Sequence, residues 1–270
     1  MQDTARILVA AILLSATNAA LAFDQAHATW DALLKRHVLV ARNGSSSRVD
    51  YRGFQADQGT LQAYLGGLSS VTQTEYRGWT REQQLAYLIN AYNAFTIKLI
   101  LTRYPDLKSI KDLGSFLKSP WKKGFFTLLG AERSLDDVEH GLIRAPGVFD
   151  EPRIHFAANC ASIGCPMLRD EAYVAERLDA QLEDGVRRFL GDRSRNRFEP
   201  ASGALELSRI FDWYRGDFEK GHHGITSVPQ FLARYADLLA DEAAARAAVR
   251  QGQVQIHYLD YDWTLNDTKQ

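Results

Sequence analysis

The sequence predicts an α+β fold that is mostly helical, with short β-hairpins and a small mixed or antiparallel sheet. Three observations predict it. Residues 80–104 form the strongest helical pattern, two glycine-centred hairpins fall at residues 123–135 and 197–207, and a strand pattern at residues 254–262 closes the chain. We expect one domain over residues 23–270, with its core at about residues 51–266.

The first 22 residues resemble a cleaved secretory signal peptide. Arg6 precedes an apolar run at residues 7–14, and Ala20 and Ala22 form the small-x-small pattern that a signal peptidase accepts. The run is shorter than the ~20 residues of a membrane span. Asp3 weakens the positive start, so an uncleaved anchor is the alternative. We expect a periplasmic or secreted protein without a membrane span after signal cleavage, where disulfides are permitted.

The composition argues against a nucleic-acid-binding protein and against a disulfide-rich scaffold. Apolar residues make up 46% of the chain and the formal net charge is −1, which is ordinary for a globular protein and lacks the basic footprint of nucleic-acid binding. Two cysteines are too few for a disulfide scaffold, so a hydrophobic core must hold the fold. We expect no nucleic-acid partner, no cofactor and no metal.

The N-terminal part predicts helices around one long central helix. Apolar periodicity predicts a helix at residues 24–40, a loop at 42–47, a strand or extended arm at 48–54 and a helix at 61–68. Thr80 and Gln83 form a capping-box pattern at the start of the long helix, and Pro105 ends it. Because this helix is apolar nearly all round, we expect it to be buried.

Two amides interrupt that apolar helix. Asn90 and Asn93 lie three residues apart and therefore on the same face. A buried amide without hydrogen-bond partners costs about 1–3 kcal/mol. The two residues therefore either bond neighbouring backbone or line a site.

A carboxylate and a histidine stand side by side in the helix predicted at residues 134–146. Ser134 caps this helix, and Glu139 falls within its apolar stripe. A carboxylate on a buried stripe needs a partner. His140 lies about 100° further round the helix. It is either a site residue or a structural histidine close to the negative end of the helix dipole.

The C-terminal half adds further elements and an aromatic, acidic segment. We predict a strand at residues 151–157, a helix at 171–190, a capped helix from Ser208 and one or two helices at 228–247. FDWYRGDFEK and the terminal YLDYDWTLND combine aromatic rings with carboxylates. Each is either a packing corner or the wall of a groove for a peptide-like or small-molecule ligand.

RIHFAANCASIGCPML, residues 153–168, holds both cysteines of the chain, Cys160 and Cys165. Four interpretations stay open. The pair forms a disulfide. Cys160 is a nucleophile with His140, His155 or His257 as its base. His155 and the two cysteines bind a metal. Finally, both thiols are buried and inert.

Five collinear segments resemble the domain-of-unknown-function family 547, which occurs in secreted bacterial proteins and in larger plant proteins. They are AYLINAYNAFTIKLI, SLDDVEHGLIR, RIHFAANCASIGCPML, IFDWYRGDF and IHYLDYDWTLN. The resemblance covers roughly residues 51–266. In the plant branch, serine can replace the cysteine that corresponds to Cys165. The family pattern falls here on Asn90, Tyr92, Asn93, Glu139, His140, Cys160, Asp212, Trp213, Tyr214, Asp217 and Phe218.

Together these features favour a cysteine-dependent hydrolase or acyltransferase acting on an amide or ester. Cys160 would attack the carbonyl, His140 would take the thiol proton, Glu139 or Asn93 would orient the imidazole, and backbone N–H groups after Cys160 would hold the oxyanion. Further expected site residues are His155, Cys165, Asn90, Asp212, Trp213, Tyr214 and Asp217.

The alternative is a non-catalytic, envelope-associated binding module in which the Cys160–Cys165 disulfide is structural. Thiol–disulfide exchange at the two cysteines is a third hypothesis, although their spacing differs from the usual two intervening residues.

Overall fold

Most of the regular structure is helical. The computed structural model describes residues 22–115 and 119–269. Its α-helices are α1 (Ala28–His37), α2 (Tyr51–Ala56), α3 (Gln58–Ser70), α4 (Gln73–Arg77), α5 (Arg81–Leu101), α6 (Leu178–Leu190), α7 (Ile210–Trp213), α8 (Arg215–Glu219), α9 (Val228–Ala233), α10 (Ala236–Leu239) and α11 (Ala243–Arg250). A π-helix spans Asp137–Ile143, and short 3₁₀ helices include Ile110–Leu113, Pro120–Lys122, Pro152–Phe156 and Ala175–Arg177.

The strands are short and form small separate sheets. β1 (Val38–Val40) pairs antiparallel with β2 (Ser47–Val49), and β3 (Phe126–Leu128) pairs antiparallel with β4 (Ala131–Arg133). β6 (Ala204–Leu207) lies between antiparallel β5 (Arg197–Glu199) and parallel β7 (Ile256–Tyr258). The structure therefore confirms the α+β, mostly helical class, both hairpins and the mixed sheet.

Helix α5 is the central element, as its sequence predicts. The Thr80 side chain accepts a hydrogen bond from the Gln83 backbone N–H, and the Gln83 side chain returns one to the Thr80 N–H. This capping box satisfies amides that a helix start leaves without partners. Nearly every residue from Leu85 to Ile100 is buried. Other elements therefore pack around all of its faces.

Two hydrophobic clusters make up the core, and the segment before the cysteines joins them. The larger cluster surrounds α5 and includes Ile154, Ala157 and Ala161. The smaller one gathers the aromatic residues of α6 to α9 and includes Phe156. Residues 154–161 thus contribute side chains to both clusters, which places the cysteine loop at the junction between them.

Residues 151–157 do not form the predicted strand. They form the 3₁₀ helix Pro152–Phe156. Pro152 has the fixed φ that suits a first helical position, and the Glu151 side chain accepts a hydrogen bond from the Arg153 N–H at 3.1 Å. The apolar residues of a short segment fit the period of a helix and the period of a strand equally well. Here the local capping favours the 3₁₀ helix.

Other differences concern the ends of elements. The predicted arm at residues 48–54 becomes a helix after β2, because the Asp50 side chain accepts from the Gly53 N–H and caps α2. The helix expected from residue 208 breaks at Tyr214 into α7 and α8. The helix predicted at residues 24–40 ends at His37 and continues as β1.

Within the described ranges, no helix combines the length and hydropathy that a bilayer crossing requires. The predicted signal peptide, apart from Ala22, lies outside those ranges.

Candidate functional site

The two cysteines form a disulfide. The Cα atoms of Cys160 and Cys165 are 6.1 Å apart, within the usual range for such a bridge. Of the four interpretations, the structure confirms the bridge, which takes both sulfurs from the proposed metal site. Over residues 22–115 and 119–269, no group of three or more His, Cys, Asp or Glu is placed to hold a metal ion. Cys165 is buried, whereas Cys160 is half-buried.

The side chain of Asn93 holds the backbone just before the bridge. Its Nδ2 donates to the Ala157 carbonyl at 3.0 Å, and its Oδ1 accepts from the Asn159 N–H at 2.8 Å. Asn159 continues the network, donating to the Pro166 carbonyl at 2.7 Å and accepting from the Ala161 N–H at 2.9 Å. These buried amides fix both ends of the cysteine loop to α5 and to each other.

The C-terminal segment closes the other side of the loop. The Gly164 N–H donates to the Asp262 carbonyl at 2.8 Å. A Cβ atom on Gly164 would lie 3.0 Å from that carbonyl oxygen and from the Tyr261 ring, so the close approach requires glycine. The Tyr261 hydroxyl consequently lies 3.3 Å from the Cys160 sulfur and 3.2 Å from the Cys165 sulfur.

Three of the backbone amides that follow Cys160 donate to acceptors within the protein. The Ala161 N–H donates to Asn159, the Ile163 N–H to the Thr264 carbonyl at 2.8 Å, and the Gly164 N–H to Asp262. These three amides are therefore occupied, and an oxyanion hole formed by backbone N–H groups after Cys160 stays a prediction. The Tyr261 hydroxyl contacts both sulfurs, and the Ser162 hydroxyl lies 3.2 Å from the Cys160 sulfur.

His155 and Asp217 form a buried pair beside the bridge. His155 is 4% exposed, stacks on the Tyr214 ring with centroids 3.8 Å apart, and places Nε2 2.8 Å from Asp217 Oδ2. Arg144 Nε donates to the same carboxylate oxygen at 2.6 Å, and Lys220 Nζ donates to Oδ1 at 2.7 Å. Asp217 is thus bound by three donors.

The electrostatics of this pair define the protonation state of His155. Burial raises the pKa of Asp217, but hydrogen bonds from His155, Arg144 and Lys220 outweigh it and hold that pKa well below its usual range. Burial lowers the pKa of His155, and the hydrogen bond to Asp217 offsets only part of this effect. His155 is therefore a neutral imidazole at neutral pH. Its proton is on Nε2, facing the carboxylate, which leaves Nδ1 as an unprotonated base.

Glu139 and His140 lie on the π-helix, a rare conformation that is frequent at functional sites. Glu139 is 7% exposed and accepts from the Tyr214 hydroxyl at 2.7 Å. The His140 Nε2 atom lies 4.0 Å from Glu139 Oε1 and 3.7 Å from Asp136 Oδ1, while Arg144 donates to His140 Nδ1. Tyr214 therefore connects Glu139 to His155, whereas His140 faces two carboxylates.

A cavity of about 230 Å³ brings these groups together. Among the described residues it is lined by Tyr92, Ser119, Trp121, Asp136, Glu139, His140, His155, Ala158, Cys160, Cys165, Pro166, Ile210, Trp213, Tyr214, Tyr261 and Trp263. It therefore holds the disulfide, the His155 imidazole, two carboxylates and several aromatic rings. This combination suits acyl transfer on a bound organic substrate.

Other expected site residues lie elsewhere. Asn90 donates to the Tyr173 carbonyl at 2.7 Å and accepts from the Tyr173 N–H at 3.0 Å, so it anchors backbone away from the cavity lining. Asp212 is partly exposed and lies 3.4 Å from Arg209. Neither Asn90 nor Asp212 is among the described lining residues.

Three residues at the site were not predicted as site residues: Trp121, Asp136 and Arg144. Arg144 lies four residues after His140, a helical spacing that could have signalled its contact. Asp136 precedes Glu139 by three residues, which is also a same-face spacing. Trp121 offers no local signal, because only the tertiary fold brings it to Trp263, with ring centroids 5.8 Å apart.

The comparison with known families confirms the resemblance. The profile of the family described as "Protein of unknown function, DUF547" matches residues 76–190. This range includes α5, the π-helix and the cysteine loop, but neither the Asp217 segment nor the C-terminal segment. No curated protein and no solved structure matches the chain.

Proposed function

We propose that the protein is a secreted, cysteine-dependent hydrolase or acyltransferase that acts on an amide or ester. Cys160 is its nucleophile, and His155, oriented by Asp217, is the base. The observation that carries this proposal is that the Cys160 sulfur and the neutral, carboxylate-bound His155 ring line the same cavity. The Cys160–Cys165 bridge is the oxidised resting form.

The chemistry begins with reduction of the bridge. A dithiol reductant is oxidised as it converts the disulfide to two thiols. His155 Nδ1 then takes the Cys160 thiol proton as the sulfur attacks the carbonyl carbon. The leaving amine or alcohol receives that proton, and a thioester remains on Cys160. Water or a second nucleophile attacks the thioester, which releases the acyl group and regenerates the thiol.

Tyr261 supplies the hydrogen bond to the developing oxyanion. Burial raises the pKa of its phenol well above the usual range, so the hydroxyl stays protonated and remains a donor near the Cys160 sulfur. In the oxidised protein its proton is directed to the Cys165 sulfur. Reduction separates the two sulfurs and makes this donor accessible to a bound carbonyl oxygen.

The test measures how readily Cys160 loses its proton. In Cys165→Ser, which leaves Cys160 as the one cysteine of the chain, the rate of iodoacetamide alkylation is followed against pH. We expect an apparent thiol pKa below the about 8.5 of a free cysteine. His155→Gln should return it to about 8.5, whereas the matched control His140→Gln should leave it low. An ester substrate should also give a stoichiometric burst of product.

The competing function is the binding module with a structural bridge. One observation favours it: the Cys160 and Cys165 sulfurs are bonded to each other and both contact Tyr261, an arrangement that stabilises the loop without chemistry. A Cys160 pKa of about 8.5 that His155→Gln does not change, with no product burst, would reject the enzyme and leave the binding module.

The proposed secretion has support at the first described residues. The backbone nitrogen of Phe23 lies 3.2 Å from Glu75 Oε1, and the Phe23 ring packs against Trp79 and Tyr87. Cleavage after Ala22 would convert that nitrogen to an ammonium group facing a carboxylate, which strengthens the hydrogen bond. The intact mass of protein expressed with its leader tests this: we expect a chain beginning at Phe23, and an unprocessed chain would refute it.

A further inference from the structure

Aromatic rings form one side of the cavity. Trp121, Trp213, Tyr261 and Trp263, here called the aromatic wall, contact one another. Trp213 is stacked on Trp263 with centroids 5.7 Å apart, and Tyr261 lies 4.8 Å from Trp213 and 4.6 Å from Trp263. The Trp213 side chain is 46% exposed. A large apolar ring left open to solvent in a cavity is available to a ligand.

Two carboxylates lie in the same cavity, and over residues 22–115 and 119–269 neither forms a salt bridge with a lysine or arginine. Asp136 and Glu139 both line it, and His140 Nε2 is 3.7 Å and 4.0 Å from their oxygens. Arg144 donates to Nδ1 of His140, so the Nε2 atom of that ring faces the two carboxylates as a hydrogen-bond donor. Among the described lining residues there is no lysine or arginine. Arg144 and Lys220 are ion-paired with Asp217.

The aromatic wall already contacts one cation, Lys111, which is not among the described lining residues of the cavity. Lys111 Nζ lies 3.7 Å from the centroid of the Trp263 ring. Burial lowers the pKa of Lys111. An ammonium group against a tryptophan face gains about 0.5–2 kcal/mol from the ring quadrupole. The chain thus shows within itself that this tryptophan cluster accommodates an alkylammonium group.

We propose that the cavity binds an alkylammonium group, such as a lysine side chain, with its methylene chain along Trp213 and its charge at Asp136 and Glu139. This assigns the substrate class of the same site: an amide or ester whose acyl portion carries a primary amine. It rests on the proposed function only in calling the ligand a substrate, because binding requires no free thiol. Charge complementarity and ring geometry carry the assignment.

The test uses the oxidised full chain, which has no reactive thiol. Nα-acetyl-lysine methyl ester and its neutral isostere, Nα-acetyl-norleucine methyl ester, are titrated separately while tryptophan fluorescence is followed. We expect saturable binding of the lysine ester, at least tenfold tighter than binding of the norleucine ester, and weaker at high salt. Asp136→Asn and Trp213→Leu should each weaken lysine-ester binding several-fold. Asp212→Asn, adjacent to Trp213 but outside the described cavity lining, is the control that should not change it.

Equal affinity for the two esters, or an Asp136→Asn variant that binds the lysine ester as tightly as the parent, would overturn the assignment. Circular dichroism of each variant establishes that it is folded before its binding is compared. The outcome is separable from that of the enzyme proposal. A selective lysine site beside an unactivated Cys160 rejects only the enzyme, and an activated Cys160 without charge preference rejects only the ammonium site.

Discussion

Removing the Asn93 side chain should weaken the fold and release the cysteine loop at once. In Asn93→Ala, the Ala157 carbonyl and the Asn159 N–H both lose their partner, at a position where the side chain is only 2% exposed. An unsatisfied buried backbone group costs about 1–3 kcal/mol. We therefore expect the free energy of unfolding to fall by about 2–6 kcal/mol, a large share of the ~5–15 kcal/mol that holds a domain together.

Asn90→Ala is the matched control. Asn90 lies three residues earlier on the same helix, is fully buried, and makes the same donor and acceptor pair with the backbone of Tyr173. Urea unfolding should therefore show a similar loss of stability in both variants. The two should differ in the cysteine loop: under native conditions, dithiothreitol should reduce the disulfide faster in Asn93→Ala than in Asn90→Ala.

Either of two results would contradict these expectations for Asn93→Ala. A loss below about 0.5 kcal/mol in Asn93→Ala would mean that water or a backbone shift replaces the amide, contrary to the cost of burying unpaired groups. Equal reduction rates in the two variants would show that Asn93 does not determine the position of the cysteine loop, whatever its contribution to stability.

Three further predictions concern the same region. Cys160→Ser/Cys165→Ser should lose about 2 kcal/mol in urea unfolding, because the bridge closes a loop of sequence separation 5; an unchanged midpoint would contradict this. The depressed Asp217 pKa contributes stability above pH ~4 that is lost as pH falls toward the folded-state pKa. Below pH ~4, Asp217→Asn should therefore reduce the slope of the free energy of unfolding against pH by up to about 1.4 kcal/mol per pH unit. Gly164→Ala should lower the thermal midpoint, at a cost of about 1–3 kcal/mol, because its Cβ meets backbone at 3.0 Å.

The long helix and the hairpins were predictable because their signals are local. The capping box of Thr80 and Gln83 specifies the start of α5 from four consecutive residues. Gly130, with φ of 76°, supplies the left-handed turn between β3 and β4. The 3₁₀ helix at Pro152–Phe156 was not predicted, since a short apolar segment has no period long enough to distinguish it from a strand.

Several residues that line the cavity carry a signal in the sequence, but their pairing does not. The sequence places Glu139 next to His140, yet neighbouring residues of a helix point about 100° apart, and their closest charged atoms are 4.0 Å apart. The carboxylate that does orient a histidine is Asp217, 62 residues after His155. No local pattern encodes a partner at that separation, so only the packing of the smaller hydrophobic cluster brings them together.

The cluster around Asp217 breaks the local rules that the rest of this core obeys. Phe156 and Phe218 are buried in the smaller hydrophobic cluster, yet their chain neighbours His155 and Asp217 place a polar pair against it. Asp217 is also ion-paired with Arg144, and replacing a buried ion pair by well-packed apolar residues is often neutral or stabilising, so the fold alone does not require this polar cluster. Sequences tend to carry such local inconsistencies at functional sites. The pair also leaves one imidazole nitrogen unprotonated in a cavity that contains the half-buried Cys160 sulfur. A bridge that served stability alone would need no such neighbour, and this is the ground on which we propose a thiol enzyme held in its oxidised form.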